Sequence, residues 1–422
     1  MSLADWLVTA ITIVVAAYIA YGTPIILLGV WHYRRRSLEN EQPLGEEWNP
    51  PDVSVLVAVK NEETVVGRLL LALSRLDYPK ENLEVIVAED GSVDRTLNIC
   101  REYAARFPWI RVFHRDVSRG KADALNFAFS QSKGEIIATF DADAVPEPSC
   151  IGRALRYFDR PEVSAVYGQN KSLNPSQSLI SRLLTYEMFL YGMVNYAKSR
   201  LGLFVTFSGS NTFLRRSALE QVGLWDAKSL AEDFELAVRF LRSRMVTRLA
   251  PIVSWDEMPA SVLSLVRQRI RWSGGNFQVG AKHWDAWWKM SWPQALDMNI
   301  ILMGPVVAIL LVVGGFLAGL GMIGIGATKQ TLAPLLIVMA LLGSLLLGSL
   351  AVTVLSEGRL GKLGFLKMVL GVGPYAIIVA LADSLGMLMV MLGLGGRMWY
   401  KTPKTGHIEK PALLPASSTV GV

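Results

Sequence analysis

The chain has 422 residues, 51% of them hydrophobic and 18% charged, with a mean hydropathy of +0.34. That is too apolar for an ordinary soluble enzyme and too charged for a protein made only of membrane spans, so the chain divides between water and lipid. The formal charge of +6 is mostly carried by bases flanking apolar stretches, and needs no nucleic acid to explain it.

Stretches 6–31, 298–328 and 330–356 carry no charge, and 368–396 carries only Asp383. Each exceeds the roughly 20 residues that cross a hydrocarbon core. The first does not read as a cleaved signal peptide, because Asp5 precedes it and Arg34, Arg35 and Arg36 follow. Bases favour the cytoplasmic side, which puts the amino terminus outside and the next domain in the cytosol. Lys329 between the second and third spans, and Arg359, Lys362 and Lys367 after the third, fit that alternation. Three C-terminal crossings would leave the tail outside, whereas Arg397, Lys401, Lys404 and Lys410 prefer the inside. Either the charge rule fails at the last span or one of the three segments does not cross.

Between the first span and the others lies a soluble-looking domain. Residues 34–51 form a polar, Pro-containing linker, and 53–59 is a β-branched strand pattern. Apolar residues then recur at helical spacing over 64–76, a strand follows at 83–88, a helix at about 94–107, and a strand near 110–114. A helix over 122–130 and a strand over 136–140, running into Asp141, complete the alternation. It predicts an α/β domain with a mainly parallel sheet covered by helices. Ligands bind such sheets beyond the carboxyl ends of the strands, where Glu62, Asp90 and Asp141 fall. Cys100 and Cys150 lack metal-type spacing and read as free thiols.

The segment 178–199 is too polar to span and too apolar for a free surface helix. Trp284, Trp287, Trp288 and Trp292 stand among Lys282, His283 and Lys289. Both segments suit the lipid interface. The boundaries read as a membrane helix at 1–33, a linker at 34–51, a catalytic domain at 52–257, and interfacial helices at 258–296. Three further spans at 297–396 and a polar tail at 397–422 follow, the tail expected to be disordered from His407.

The chemistry-bearing residues occur in a fixed order. Asp141-Ala142-Asp143 follows a strand, where alternate carboxylates can face a nucleotide and a hard divalent cation such as Mg2+ or Mn2+. Glu232-Asp233 opens a helical stretch, so Asp233 sits near a positive helix end and can act as a general base. Glu232 can cap that helix or position substrate. Gln268-Arg269-Ile270-Arg271-Trp272 comes shortly before the membrane. Arg271 suits departing phosphate oxygens, and Trp272 offers a flat apolar face to a sugar ring.

This order resembles the membrane-bound, inverting family-two glycosyltransferases, which include the chitin, hyaluronan, cellulose and poly-N-acetylglucosamine synthases. The resemblance covers roughly residues 50–300. It implies a GT-A-type fold, with Glu62 and Asp90 contacting the uridine of a UDP-sugar donor and Lys121, in Arg119-Gly120-Lys121, near its diphosphate. Asp141 and Asp143 would hold the metal, Asp233 would be the base, and Arg271 would meet the leaving group. Ser208, Gly209, Glu232, Gln268 and Trp272 would lie on the acceptor side. The motif reads Ala231-Glu232-Asp233 where the family has Thr-Glu-Asp or Gly-Asp-Asp, which spares the base.

The expected protein is therefore a multi-pass enzyme of the cell membrane with its catalytic domain in the cytosol. It would extend a β-linked polysaccharide from UDP-N-acetylglucosamine or UDP-glucose, with possible export through the spans. The alternative is a single addition to a lipid, as in ceramide glucosyltransferases. A transporter with a nucleotide-sensing domain is a different class, and sensing alone would not need Asp233.

Overall fold

The computed structural model describes residues 2–36, 49–357, 362–395 and 402–409. The charge readings on Arg359, Arg397, Lys401 and Lys410 lie outside them. The chain separates into two compact units. One contains 39–177, 204–258 and the chain from 403 onward, and the other contains 1–38, 178–203 and 259–402.

Helix α1 (Leu3–Arg36) opens the second unit. The first unit follows with β1 (Val53–Val59), α2 (Val66–Ser74), β2 (Leu83–Asp90), α3 (Thr96–Arg106) and β3 (Ile110–Arg115). Next come α4 (Lys121–Ser130), β4 (Ile136–Thr139), β5 (Val145–Pro146), α5 (Cys150–Leu155) and β6 (Val163–Ser172). Helix α6 (Leu179–Leu201) returns to the second unit, so the catalytic domain read as 52–257 is interrupted by a helix that clusters elsewhere. The first unit resumes with β7 (Thr212–Arg215), α7 (Arg216–Val222), α8 (Glu232–Arg242) and β8 (Val246–Asp256).

The eight strands form one sheet in the order β3-β2-β1-β4-β7-β6-β8-β5. β3, β2, β1 and β4 are parallel, as the strand-helix alternation predicts. The sequence Val-Ser-Val-Leu-Val-Ala-Val of β1 is buried almost throughout, as expected of a parallel strand covered on both faces. Its register, Val53↔Leu83 and Val53↔Ile136, aligns the carboxyl ends of three strands. Loops 60–65, 91–95 and 140–144 therefore leave from one edge. β7 runs antiparallel to β4 with Thr139↔Thr212, which brings loop 208–211 to the same edge. β8 runs antiparallel to β5 with Val145↔Trp255, which delivers Asp256 and Glu257 there too.

Among its described residues the second unit holds helices and no strand: α1, α6, α9 (Val262–Lys282), α10 (Trp292–Leu302), α11 (Gly304–Met322), α12 (Lys329–Glu357) and α13 (Lys362–Met391). Among the described residues four helical segments, Leu3–Trp31, Gly304–Met322, Lys329–Val352 and Gly364–Met391, are long and apolar enough to cross a membrane. Val8, Ile11 and Val15 of α1 pack with Ala318 of α11 and with Leu332 and Leu335 of α12. Lys198 and Asp297 form a buried ion pair in this unit: Lys198 Nζ lies 2.6 Å from Asp297 Oδ1, which also accepts from the Tyr21 hydroxyl at 2.8 Å. Trp284, Trp287, Trp288 and Trp292 are all exposed, as an interfacial belt requires. Asp383 is half-buried, and its backbone carbonyl accepts a 2.5 Å hydrogen bond from the Ser273 hydroxyl of α9, so it sits on the face of α13 turned to α9.

The described tail residues, 402–409, form no helix or strand. Of these, residues 403–409 cluster with the first unit. There the Glu409 N–H donates to the Leu173 carbonyl at 3.0 Å, and its carboxylate accepts from the Ser176 N–H at 2.8 Å.

Candidate active site

The aligned strand ends gather carboxylates and lysines at one edge of the sheet. Asp141 emerges from β4 with its N–H directed at the Ser210 hydroxyl, 3.2 Å away. Its carboxylate pairs with Lys121 Nζ at 2.7 Å, and the same ammonium lies 3.1 Å from Glu232. Lys121 starts α4 directly after Gly120, whose φ of 95° only glycine adopts without strain. Burial works against the charge on Lys121, but Asp141, Glu232 and Asp233 outweigh it and raise its pKa.

Asp233 lies in the first turn of α8, where its Oδ1 accepts from the Phe234 N–H at 2.8 Å. Burial, then repulsion by Glu232, pushes its carboxyl up to about 7, against the opposing pull of Lys121. The helix-end position expected to keep Asp233 ionised is thus outweighed by desolvation. A carboxyl so placed is suited to accepting a proton near neutral pH. Gly209, with φ of 64°, passes close by: a Cβ there would stand 3.1 Å from Lys121 Nζ and 3.3 Å from Asp233 Oδ2. The adjacent Ser208 hydroxyl accepts from Asn170 Nδ2 at 3.2 Å and pairs with the Tyr167 hydroxyl at 3.1 Å.

Asp90 organises the loop ahead of Lys121. Its carboxylate accepts from the Ser118 hydroxyl at 2.7 Å, the Gly120 N–H at 2.9 Å and the Arg119 N–H at 3.2 Å, and it pairs with Arg115. Burial opposes its ionisation, but these donors prevail and its pKa falls. Glu62 sits at the start of α2, where its carbonyl accepts from Val65 and Val66. Its N–H donates to the Thr96 hydroxyl at 2.7 Å, tying the loops after β1 and β2 together.

Asp143 has a partner that the sequence did not reveal. Lys404 Nζ lies 2.6 Å from Asp143 Oδ2 and donates to the Glu257 carbonyl at 2.7 Å. The Glu257 N–H also donates to Asp143 Oδ2, at 3.1 Å. Burial disfavours the Asp143 charge, but Lys404 outweighs it and keeps the carboxyl below its ordinary range. The Glu257 carboxylate holds the tail in turn, accepting from the Thr405 N–H at 2.6 Å, the Thr405 hydroxyl at 2.8 Å and the Gly406 N–H at 3.0 Å. Neighbouring Asp256 is pushed well above the usual carboxylate range by burial and by the charges of Asp143 and Asp141. Lys404 read only as a membrane-flanking base and Glu257 only as a domain boundary. No motif spacing links either to Asp143.

These residues fit a divalent cation. Asp143 already holds a positive charge, with the Lys404 ammonium as a stand-in. Among the described residues no three His, Cys, Asp or Glu side chains form a ready-made cage.

Gln268, Arg271 and Trp272 belong to the helical unit, on α9, with Gln268 buried and the other two half-buried. Ser261 caps this helix, its hydroxyl accepting from the Ser264 N–H at 3.2 Å.

A mainly parallel sheet with acidic strand-end loops, joined by an antiparallel strand, is a GT-A-type nucleotide-sugar fold. Residues 54–223 match glycosyl transferase family 2, so the chain carries a family-two glycosyltransferase domain. It is similar to a probable glycosyltransferase of Bacillus subtilis, with 33% identity over 57% of this chain and 59% of that one. A β-monoglucosyldiacylglycerol synthase of Synechocystis is 31% identical over 60% of this chain and 54% of its own length. A poly-β-1,6-N-acetyl-D-glucosamine synthase of Staphylococcus epidermidis is 30% identical over 54% of this chain and 55% of its own. The chain thus spans little more than half the length of these relatives. Among solved structures, a mannosyltransferase from Pyrobaculum calidifontis in complex with GDP-Man and Mn2+ shares the fold. The TM-score is 0.64 at 21% identity, over 90% of this chain and 99% of that one.

Proposed function

We propose that this protein is an inverting, membrane-embedded glycosyltransferase that uses a UDP-sugar, UDP-N-acetylglucosamine or UDP-glucose, to extend a β-linked polysaccharide. The observation that carries the reading is Asp233, half-buried in the first turn of α8 with its carboxyl raised to about 7, beside the Lys121–Asp141 pair. Asp233 takes the proton of the acceptor hydroxyl as that oxygen bonds to the anomeric carbon. The carbon's bond to the diphosphate breaks, and its electron pair leaves with UDP. One displacement inverts the configuration.

Asp141 and Asp143 would hold Mg2+ or Mn2+, which supplies charge neutralisation for the departing diphosphate. Lys121 adds a second positive charge. Glu62 and Asp90 belong to the uridine side, Asp90 chiefly by shaping the loop 115–120. Ser208, Gly209, Glu232 and Gln268 belong to the acceptor side. Arg271 would stabilise UDP, and Trp272 would stack on an acceptor sugar. Four apolar helices and the flanking bases support a multi-pass protein of the cell membrane with its catalytic unit in the cytosol, in contact with membrane lipids, and export of the product through the helices would follow.

A second reading has its own support. Several relatives of about 31% identity are β-monoglucosyldiacylglycerol synthases, which favours one sugar added to diacylglycerol. Purified protein is incubated with radiolabelled UDP-glucose or UDP-N-acetylglucosamine, with and without dioleoylglycerol. Label in a water-soluble polymer that a β-specific glycosidase degrades supports polymerisation. Label confined to the organic phase, and dependent on dioleoylglycerol, replaces it with the lipid reading. No UDP release with either donor overturns both.

A further inference from the structure

Arg269 stands inside the motif that carries Arg271 and Trp272, and nothing in the reaction above uses it. It is buried in the helical unit, and its guanidinium meets three other groups. Nη2 pairs with the Glu187 carboxylate of α6 and donates to the Tyr375 hydroxyl of α13 at 3.3 Å. The Tyr375 hydroxyl itself donates to Glu187 at 2.5 Å. The guanidinium carbon also lies over the Trp272 ring, 5.3 Å from its centroid, within cation–π range. Its buried Nε–H finds no hydrogen-bond acceptor among the described residues.

The backbone around this contact is equally constrained. A Cβ on Gly386 of α13 would stand 2.4 Å from the Ile270 carbonyl oxygen and 3.1 Å from the Gly274 nitrogen, so α9 and α13 touch backbone to backbone on either side of Trp272. The Ser273 hydroxyl fastens the same crossing through the Asp383 carbonyl. Stability alone does not account for the polar cluster, because apolar side chains often replace buried ion pairs at no loss. What the cluster supplies is a fixed guanidinium, tied to two neighbouring helices, against one face of Trp272.

We propose that Arg269, held by Glu187 and Tyr375, is a positioning residue that sets the orientation of the Trp272 ring and so the affinity for the acceptor. This rests on the reading of Trp272 as an acceptor contact. Arg269 occupies one face of the indole and leaves the other to a sugar ring. Loss of the guanidinium frees the ring to turn, which weakens acceptor binding without touching the base, the cation site or the donor.

The test measures acceptor KM and kcat with two probes, dioleoylglycerol in dodecylmaltoside micelles and a β-linked N-acetylglucosamine tetrasaccharide, alongside UDP affinity by calorimetry. With whichever probe is used as acceptor, Arg269→Met should raise acceptor KM about tenfold, in line with a desolvated cation–π contact. The kcat and the UDP affinity should stay within about twofold, and Arg269→Lys, which keeps the charge, should recover part of the loss. In a Trp272→Ala background Arg269→Met should have no further effect on acceptor KM, because it acts through the ring. Equal effects in both backgrounds mean a merely structural role and overturn the proposal. If Trp272→Ala raises acceptor KM but Arg269→Met does not, the positioning role alone fails. If Trp272→Ala leaves acceptor KM unchanged, the acceptor reading beneath it fails. Should Arg269→Met not fold, Tyr375→Phe serves in the same cycle, with an expected rise of about two- to threefold for one lost hydrogen bond.

Discussion

Lys404 Nζ sits 2.6 Å from Asp143 Oδ2, so the carboxylate proposed to hold a divalent cation is already paired with a lysine 261 residues further along the chain. A cation bound there must displace or outlast that ammonium. Lys404→Met should therefore raise Mn2+ affinity by about tenfold, the worth of a charge-assisted hydrogen bond. Electron paramagnetic resonance of free Mn2+ during titration reads this directly, without turnover. Asp143→Asn should abolish the binding. Equal Mn2+ affinity in wild type and Lys404→Met would show that the ammonium and the metal do not share Asp143.

If Asp233 is the base proposed above, it sets the pH response. Its carboxyl is raised to about 7, so the basic form is scarce below that pH and dominates above it. The rate at saturating donor should therefore climb as pH rises through about 7 and level off beyond, in proportion to ionised Asp233. Asp233→Asn should cost about 10²–10⁴-fold in rate and leave UDP affinity nearly unchanged. A pH profile that is flat between 6 and 8 in buffers spanning roughly that range would remove Asp233 from the proton-transfer step.

Gly209 offers a steric test of the same corner. Its φ of 64° already favours glycine, and a Cβ would crowd Lys121 Nζ at 3.1 Å. Gly209→Ala should cost ~1–2 kcal/mol of stability from the left-handed backbone alone. It should also reduce turnover more than donor affinity, since the methyl group points toward Lys121 and Asp233 rather than toward Asp90. Donor affinity lost in step with turnover would mean that the loop serves the nucleotide instead.

Much of this site was legible because parallel strands deliver their carboxyl-end loops to one place. Glu62, Asp90 and Asp141 follow β-branched runs, and the register of β1 with β2 and β4 puts them at one edge without further information. Asp233 was legible as a helix-start acid, but its raised pKa was not, since desolvation depends on what covers it. Lys404 and Glu257 were illegible for a different reason. The Lys404 link to Asp143 spans 261 residues and needs the tail's return to the unit, and the Glu257 link spans 114 and needs the pairing of β8 with β5. Helix α6 was read as an interfacial belt within the catalytic domain. Its mixed composition gave no sign that the chain leaves that unit at 178 and re-enters it at 204.

The same return bears on membrane topology. Residues 403–409 hydrogen-bond to Asp143, Leu173, Ser176 and Glu257, all of the catalytic unit, so tail and unit lie on one side of any membrane. Between 258 and 403 the chain must then cross an even number of times, although α11, α12 and α13 are each long enough to span. The bases at Lys404 and beyond agree with an inside tail, and the conflict raised by the charge pattern resolves if one of the three helices does not cross completely. Membrane-impermeant maleimide on single-cysteine variants, in a background with Cys100 and Cys150 replaced, tests this in sealed vesicles of known orientation. His407→Cys should react from the same side as Asp116→Cys in the catalytic unit, and Ile323→Cys, in the exposed turn after α11, should react from the opposite side. Labelling of His407→Cys from the side of Ile323→Cys would mean that the tail never reaches Asp143 in the membrane, and the effect predicted for Lys404→Met on Mn2+ would vanish with it.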